Sequence, residues 1–173
     1  MSILDSDREY YFLKWITKFT DVQITDESGN IIGEIKHPGR FIDEWKLLDD
    51  NNFIILTTYD PPWGNKITIK NIDKNVIGFV NYKSLSLKQK MVLKNEDKEV
   101  VLTQQMTKGS NFEIINPQGK KVAESTNEKA DRFFCVLKIL DQTFDRKLLL
   151  GFFIAIIASL FIPYGGEDGA TAG

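Results

Sequence analysis

The stretch from Leu148 to Ile162 restricts the fold more than any other part of the chain. It reads LLLGFFIAIIASLFI, without a charged residue and with one hydroxyl group, that of Ser159. A helix of this composition is apolar on every side, so it must be hidden from water in a bilayer or inside a closed sheet. At about 1.5 Å per residue it reaches roughly 22 Å, which is short for a hydrocarbon layer about 30 Å thick. Its length therefore favours burial within the protein.

A threefold repeat precedes this stretch. Three segments align without gaps, 45 residues apart: VQITDESGNIIGEI from Val22, ITIKNIDKNVIGFV from Ile67 and FEIINPQGKKVAES from Phe112. Each segment alternates apolar and polar residues, meets a polar turn and then resumes the alternation, which is the pattern of a β-hairpin. The residues that can hydrogen-bond the turn backbone are Asp26, Asn71 and Asn116. Those predicted to accept a positive φ are Gly29, Asn75 and Gly119.

A second set of hairpins recurs at 46 residues, starting at Trp45, Met91 and Leu137. The first two copies return as β-rich strands, whereas the third continues into the apolar stretch. Two hairpins in each of three units would give twelve strands with one strand absent. The aromatic run from Tyr10 to Thr17 can supply the missing strand and close the sheet on itself, although a short helix is an alternative there.

We therefore predict a mainly β fold, a closed barrel of about twelve antiparallel strands from three pseudo-repeats, wrapped around a buried hydrophobic C-terminal α-helix at about 145–162. Such a barrel is too wide for its own side chains to fill, and a helix has a suitable diameter. Asp145 is placed to cap the helix. The residues expected along its centre are Leu148, Phe152, Ile156 and Leu160. A β-trefoil and a propeller are the alternatives; the first has no room for an apolar helix, and the second needs at least about four blades.

The prediction for domain organisation is one domain over residues 1–163 and a disordered, glycine-rich tail over 164–173. The N-terminal residues lack the basic and apolar regions of a secretory signal, which predicts a cytoplasmic location. The chain has 22 basic and 24 acidic residues, so its net charge of −2 gives no overall attraction to nucleic acid. We expect a monomer.

Reactive chemistry has little support in the sequence. His37 is the only histidine and Cys135 the only cysteine. A disulfide, a thiolate zinc site and a histidine-based catalytic triad are therefore not expected. Cys135 lies between apolar residues and is predicted to be a small residue of the sheet or core. We predict a protein that is not an enzyme and that has no cofactor.

Local charge gives the strongest indication of a binding surface. Five lysines lie close together in the sequence, at Lys83, Lys88, Lys90, Lys94 and Lys98. Strand alternation puts Lys88, Lys90 and Lys94 on one face, which could meet anionic lipid headgroups or simply keep the outside of the sheet soluble. Trp63, in the proline-stiffened DPPWG stretch, could enter a membrane interface, contact a partner or pack over the open end of the sheet.

The pattern resembles the superfamily of tubby C-terminal-like proteins, which unites the tubby domain, LURP-one-related proteins and phospholipid scramblases. The resemblance rests on VQITDESGNIIGEI with its repeats and on CVLKILD leading into DRKLLLGFFIAIIAS. It implies a twelve-stranded barrel around a C-terminal helix and a non-enzymatic role at or near membranes. Scramblases carry an acidic calcium loop before the helix, but Asp141 to Asp145 offers two carboxylates only, so calcium binding is not expected here.

Three hypotheses for function follow. The first is a cytoplasmic module, peripheral to the membrane, that binds anionic phospholipid through the five lysines. The second is a single-pass scramblase with residues 148–162 in the bilayer, for which Arg146 and Lys147 would form the cytoplasmic flank. The third is a domain that binds an unknown protein partner and has no lipid role.

Overall fold

A computed structural model describes residues 2–16, 21–36, 44–49, 53–59, 66–82, 90–109, 111–126 and 134–161. Twelve strands and one helix lie within them. They are β1 Tyr10–Trp15, β2 Asp21–Thr25, β3 Ile31–Lys36, β4 Glu44–Leu48, β5 Phe53–Tyr59, β6 Lys66–Asn71, β7 Val76–Tyr82, β8 Met91–Lys94, β9 Val100–Met106, β10 Phe112–Ile115, β11 Lys121–Thr126, β12 Cys135–Ile139 and α1 Arg146–Phe161. The prediction of a mainly β fold with one C-terminal helix is confirmed, and the residues from Tyr10 form a strand. The predicted tail at 164–173 lies outside the described residues.

The strands form one antiparallel sheet in which neighbours along the chain are also neighbours in space. The hydrogen-bonded order is β1, β12, β11, β10, β9, β8, β7, β6, β5, β4, β3 and β2. β1 has a partner on each side, because Tyr10 pairs with Lys138 of β12 and Trp15 pairs with Val22 of β2. β1, which was predicted to supply the missing twelfth strand, therefore joins the first and third units of the repeat.

The core lies between the helix and the inner face of the sheet, which we define as the face that packs against α1. Strand alternation supplies this face: Val22 and Ile24 of β2, for example, are buried. On the helix, the residues from Leu149 to Ala158 are all buried, whichever side they project from. The rings of Phe112 on β10 and Phe153 on the helix have centroids 6.1 Å apart. The part of the apolar stretch from Leu149 to Ala158 is thus covered by the protein's own strands.

One glycine permits the helix to approach the sheet closely. A Cβ atom at Gly78 on β7 would lie 2.9 Å from Cδ1 of Leu148 and 3.1 Å from the backbone oxygen of Lys94. Both separations are shorter than a relaxed van der Waals contact. A larger residue would push β7 away from the helix or from β8.

Four hairpin turns repeat one hydrogen-bonding pattern. In each turn the side-chain oxygen of the first residue accepts a bond from the backbone N–H four residues later. The pairs are Asp26 with Asn30, Asn71 with Asn75, Asn95 with Glu99, and Asn116 with Lys120. The residue with positive φ is always the third after the first: Gly29, Lys74, Lys98 and Gly119. The prediction of positive φ at Asn75 was wrong by one residue, because the turn geometry fixes the position and a lysine occupies it in that copy.

All four turns lie at the same end of the sheet, since neighbouring strands run in opposite directions. We call this the turn end, and it also carries residues 2–9 and the segment 140–145 that leads into α1. Asp145 caps the helix here, and its Oδ1 accepts a bond of 2.9 Å from the backbone N–H of Leu148. The predicted helix cap is confirmed.

Arg146 ties the N-terminal segment, residues 2–9, to the start of the helix. Its guanidinium donates to the backbone oxygens of Ser6 at 2.8 Å and Arg8 at 3.2 Å, and to Oε1 of Gln142 at 2.7 Å. Only 7% of Arg146 is exposed. Within the same segment Ile3 is fully buried, and its backbone oxygen accepts a bond of 2.8 Å from the Tyr11 hydroxyl. The N-terminal segment is thus part of the folded domain.

We expect Arg146→Met to release the N-terminal segment. The variant removes the three hydrogen bonds that the guanidinium donates. Water can replace them at the freed backbone oxygens once the segment detaches, so burial of Ile3 is then the main contact that holds the segment. Trypsin should cleave after Arg8 about tenfold faster than in the wild type, with the cleaved bond identified by mass spectrometry. Lys147→Met is the matched control because Lys147 is exposed, and it should leave the rate unchanged. Equal rates for Arg146→Met and the wild type would contradict this role for Arg146.

Candidate functional site

The outer side of β6, β7 and β8 carries a surface that we call the lysine face. Its residues are Lys66, Lys70, Phe79, Lys90, Val92 and Lys94. Strand alternation explains why they point away from the helix. Ile67 and Ile69 of β6 are buried between Lys66 and Lys70, and Met91 and Leu93 of β8 are buried next to Lys90, Val92 and Lys94.

Phe79 lies at the centre of the lysine face. In the register of the sheet it pairs with Lys94 of β8 on one side and with Thr68 of β6 on the other. The ammonium nitrogen of Lys66 lies 4.2 Å from the centroid of the Phe79 ring, within the range of a cation–π contact. An aromatic ring in contact with an ammonium group on an apolar stem is a combination that suits the boundary between lipid headgroups and acyl chains.

Acidic residues are missing from this side of the sheet. None of the strands β5, β6, β7, β8 and β9 contains Asp or Glu. The other side of the sheet mixes both signs. There, Lys36 lies 3.4 Å from a carboxylate oxygen of Glu34, and Lys121 lies 2.6 Å from one of Glu113. Within the described ranges no carboxylate forms an ion pair with the four lysines of the lysine face, so their charges are available to an anion.

Three of the five lysines chosen from the sequence lie within the described residues, and these three do not all share one surface. Lys90 and Lys94 flank the outer side of β8 as predicted, while Lys83, Lys88 and Trp63 lie outside the described residues. Lys98 occupies a turn at the turn end, where its neighbours include Asp97 and Glu99. Lys98 therefore lies on a turn and not on a strand of the lysine face, in acidic surroundings.

Two lysines of the surface were missed by sequence analysis. Lys66 and Lys70 are far from Lys90 and Lys94 in the sequence and become their neighbours only because β7 lies between β6 and β8. A signal was present in KITIK, in which alternation places both lysines opposite Ile67 and Ile69. Combined with the hairpin meander that the repeats predict, this pattern would have pointed to them.

The predicted central helix residues occupy the core. Phe152 and Ile156 are fully buried, and Leu148 is half-buried beside Gly78. Leu160 belongs to the helix, but its side chain lies outside the described part. In the described part of the chain, no helix combines the length and the apolar composition needed to cross a membrane.

The stretch that would correspond to a calcium loop already has protein partners. Asp141 accepts hydrogen bonds from the Thr143 hydroxyl at 2.6 Å and from Lys120 Nζ at 3.1 Å, and these bonds lower the pKa of its carboxyl group to about 2. The Asp145 carboxylate caps the helix. Among the described residues there is no group of three or more side chains able to hold a metal ion.

Comparisons with known proteins show the fold alone. No family model and no curated protein matches the chain. It is similar to the X-ray structure of a protein from Arabidopsis thaliana, with a TM-score of 0.63 and 15% sequence identity. The match covers 91% of this chain and 97% of that one. The likeness therefore extends over almost the whole of both proteins and supports the architecture described above.

Proposed function

We propose that the chain is a closed barrel of the tubby-like type, wrapped around its C-terminal helix, and that it binds anionic phospholipid surfaces through the lysine face. The pairing of β1 with both β2 and β12 supports closure, and the burial of Phe152 and Ile156 supports a central helix. In this proposal the protein is a non-enzymatic cytoplasmic monomer, peripheral to the membrane. It resembles LURP-one-related and scramblase-like proteins in design.

The observation that carries the proposal is the charge of one wall of the sheet. Four lysines share with Phe79 a face whose strands contain no acidic residue, although the chain as a whole has a net charge of −2. A cation close to an anionic bilayer contributes about 1 kcal/mol. Since the outer side of the sheet is curved, we expect about half of the maximum from four lysines, which is about 2 kcal/mol and roughly a 30-fold preference.

This proposal predicts that phosphatidylserine will be required for binding. The wild type should sediment with phosphatidylcholine vesicles that contain phosphatidylserine and not with phosphatidylcholine alone. Replacing Lys66, Lys70, Lys90 and Lys94 by glutamine should reduce the partition coefficient about 30-fold, and raised salt should reduce it in the wild type. Circular dichroism should show an unchanged fold, because exposed substitutions change stability little.

A matched control removes four lysines from strands that do not carry the lysine face. Lys14, Lys36, Lys46 and Lys138 lie on β1, β3, β4 and β12, and their replacement by glutamine changes the net charge by the same amount. Vesicle binding should fall less than about fivefold in this control, because its lysines lie farther from the bilayer than a Debye length. Equal losses in both quadruple variants would show diffuse attraction without a defined face. Binding to neither vesicle would favour the third hypothesis, a protein-interaction domain.

The proposed mode of attachment differs from that of a single-pass scramblase. Helix insertion would require the residues from Leu149 to Ala158 to leave contacts that bury them now. Surface attachment through the lysine face leaves those contacts intact. A salt wash separates the two modes, since it releases a protein held by surface charge and leaves an inserted helix in the membrane.

A further inference from the structure

The turn end of the molecule has a charge opposite to that of the lysine face. Its described segments carry twelve carboxylates: Asp5, Asp7, Glu9, Asp26, Glu27, Asp49, Asp73, Glu96, Asp97, Glu99, Asp141 and Asp145. Six basic side chains lie in these segments and the first turn of the helix: Arg8, Lys74, Lys98, Lys120, Arg146 and Lys147. Two more, Lys94 and Lys121, occupy strand ends next to the turns. An anionic bilayer would repel this end. The molecule is thus polarised between a basic wall and an acidic end.

Apolar side chains are also exposed at the acidic end. Five large apolar residues of the described chain are well exposed, and four of them lie here: Ile31, Ile72, Val100 and Leu140. Ile72 is 50% exposed and Val100 42% exposed. Ile72 lies in the turn between β6 and β7, and Val100 is the first residue of β9. Single exposed apolar residues are common, but their concentration at one end of the sheet distinguishes this surface.

A pocket of about 380 Å³, which we call the acidic pocket, lies at the turns that follow β6 and β8. It is lined by Asn71, Ile77, Asn95, Glu96, Asp97, Asp145, Lys147 and Leu148. Ile77 and Leu148 also pack against the core, so they give the pocket an apolar base. Glu96, Asp97 and Asp145 supply three carboxylates against the single ammonium group of Lys147.

We propose that the acidic pocket docks a basic segment of a protein partner, whose lysine or arginine side chain enters it. The aliphatic stem of such a side chain suits Ile77 and Leu148, and its charged head suits the carboxylates of Glu96 and Asp97. Apolar residues beside it in the partner would cover Ile72 and Val100. Charge complementarity selects this occupant, because an acidic segment or an anionic lipid would meet a surplus of carboxylates.

Two positive features near the pocket, the helix N-terminus and Arg146, do not cancel this preference. The helix starts at Arg146, and its N-terminus favours anions, but Asp145 caps it by accepting the bond from the Leu148 N–H. Arg146 is buried and donates to Ser6, Arg8 and Gln142, so it is directed to the N-terminal segment. Glu96 and Asp97 belong to the turn between β8 and β9. They have no described ion-pair partner.

A second pocket at the same end provides the comparison. It is lined by Asp7, Arg8, Glu9, Tyr10, Asp26, Glu27 and Ser28, and has a volume of about 300 Å³. It carries more carboxylates than the acidic pocket, but no aliphatic residue lines it. If basic segments are attracted only by long-range charge, removing carboxylates from either pocket will weaken peptide binding equally. If the proposal is right, only the loss of carboxylates from the acidic pocket, which has the apolar base, will weaken binding strongly.

The test uses the full chain and fluorescein-labelled peptides, without vesicles. A peptide with lysine and leucine at helical spacing should bind, as measured by fluorescence polarisation, and its counterparts with glutamate for lysine or serine for leucine should not. The double variant with Glu96→Gln and Asp97→Asn should weaken binding at least about tenfold. The control with Asp7→Asn and Glu27→Gln removes the same charge from the second pocket and should change affinity less than about twofold.

A further variant, Ile72→Ser with Val100→Ser, should also weaken binding at least about fivefold, and both residues are exposed enough for folding to be kept. Equal losses in the two charge variants would overturn the proposal, as would tight binding of the lysine–serine peptide. Failure of every peptide to bind would overturn it too. None of these outcomes depends on the lysine face, since its residues are unchanged and lipid is absent.

Discussion

Replacing Phe153 by alanine should lower the free energy of unfolding by about 3–5 kcal/mol, measured by urea denaturation. Phe153 lies in the middle of the helix, is 1% exposed and packs against Phe112 of β10. The helix and the strands confine the site on several sides, so the surrounding structure can collapse only partly into the space that the ring leaves. Domains of this size are stable by about 5–15 kcal/mol, and the variant should lose a large share of that.

Two further variants keep this prediction testable if Phe153→Ala does not fold. Phe153→Leu leaves a smaller cavity and should cost less than the alanine variant while moving the urea midpoint in the same direction. Ile72→Ala is the exposed control and should change stability by no more than about 0.5 kcal/mol. A loss below about 1 kcal/mol for Phe153→Ala would mean that the helix is not packed within the sheet.

The Cys135 thiol of the native protein should react with a disulfide reagent at pH 8 at least about 10³-fold more slowly than in urea. Cys135 lies on β12 and is 1% exposed, and burial raises the pKa of its thiol to about 12. Because an ordinary cysteine has a pKa near 8.5, the thiolate fraction alone falls about 10³-fold. Reagent access requires the strand to open, which costs most of the global free energy of unfolding.

The same chemistry can report on the helix. In a Cys135→Ala background, Ile156→Cys places a thiol at a fully buried helix position, and Ile72→Cys places one in an exposed turn. The thiol at residue 156 should show the protection expected for Cys135, whereas the thiol at residue 72 should react as fast as in urea. Rapid labelling at residue 156 in the folded protein would show that the helix is accessible, and the proposed architecture would fail.

Much of the fold could be predicted because residues within each repeat mark where its strands and turns begin and end. Asp26, Asn71 and Asn116 mark the turns, the alternation around them marks the strands, and the uncharged stretch from Leu148 marks the helix. These signals are local, so each can be recognised within a few residues. The misplaced positive φ at Asn75 shows the limit of residue type as a guide, since Lys74 adopts it where the geometry requires.

The candidate site was predictable only in part, because its residues meet through the sheet and not through the sequence. Lys90 and Lys94 could be chosen from their own strand, but Lys66 joins them across β7. The same holds for Arg146, whose partners Ser6 and Arg8 lie near the other end of the chain. A charge beside an apolar stretch suggested a membrane flank from the sequence. In the fold it holds the N-terminal segment in place.

The pairing of β1 with β12 sets an order of events during synthesis. Every other strand pair joins neighbours along the chain and can form as soon as both have left the ribosome. β1 must wait with one edge unpaired until Cys135–Ile139 has been made, and the helix emerges later still. The nascent protein therefore passes through a stage with an open edge and an unfilled interior, in which a chaperone or a second nascent chain competes for the same surfaces.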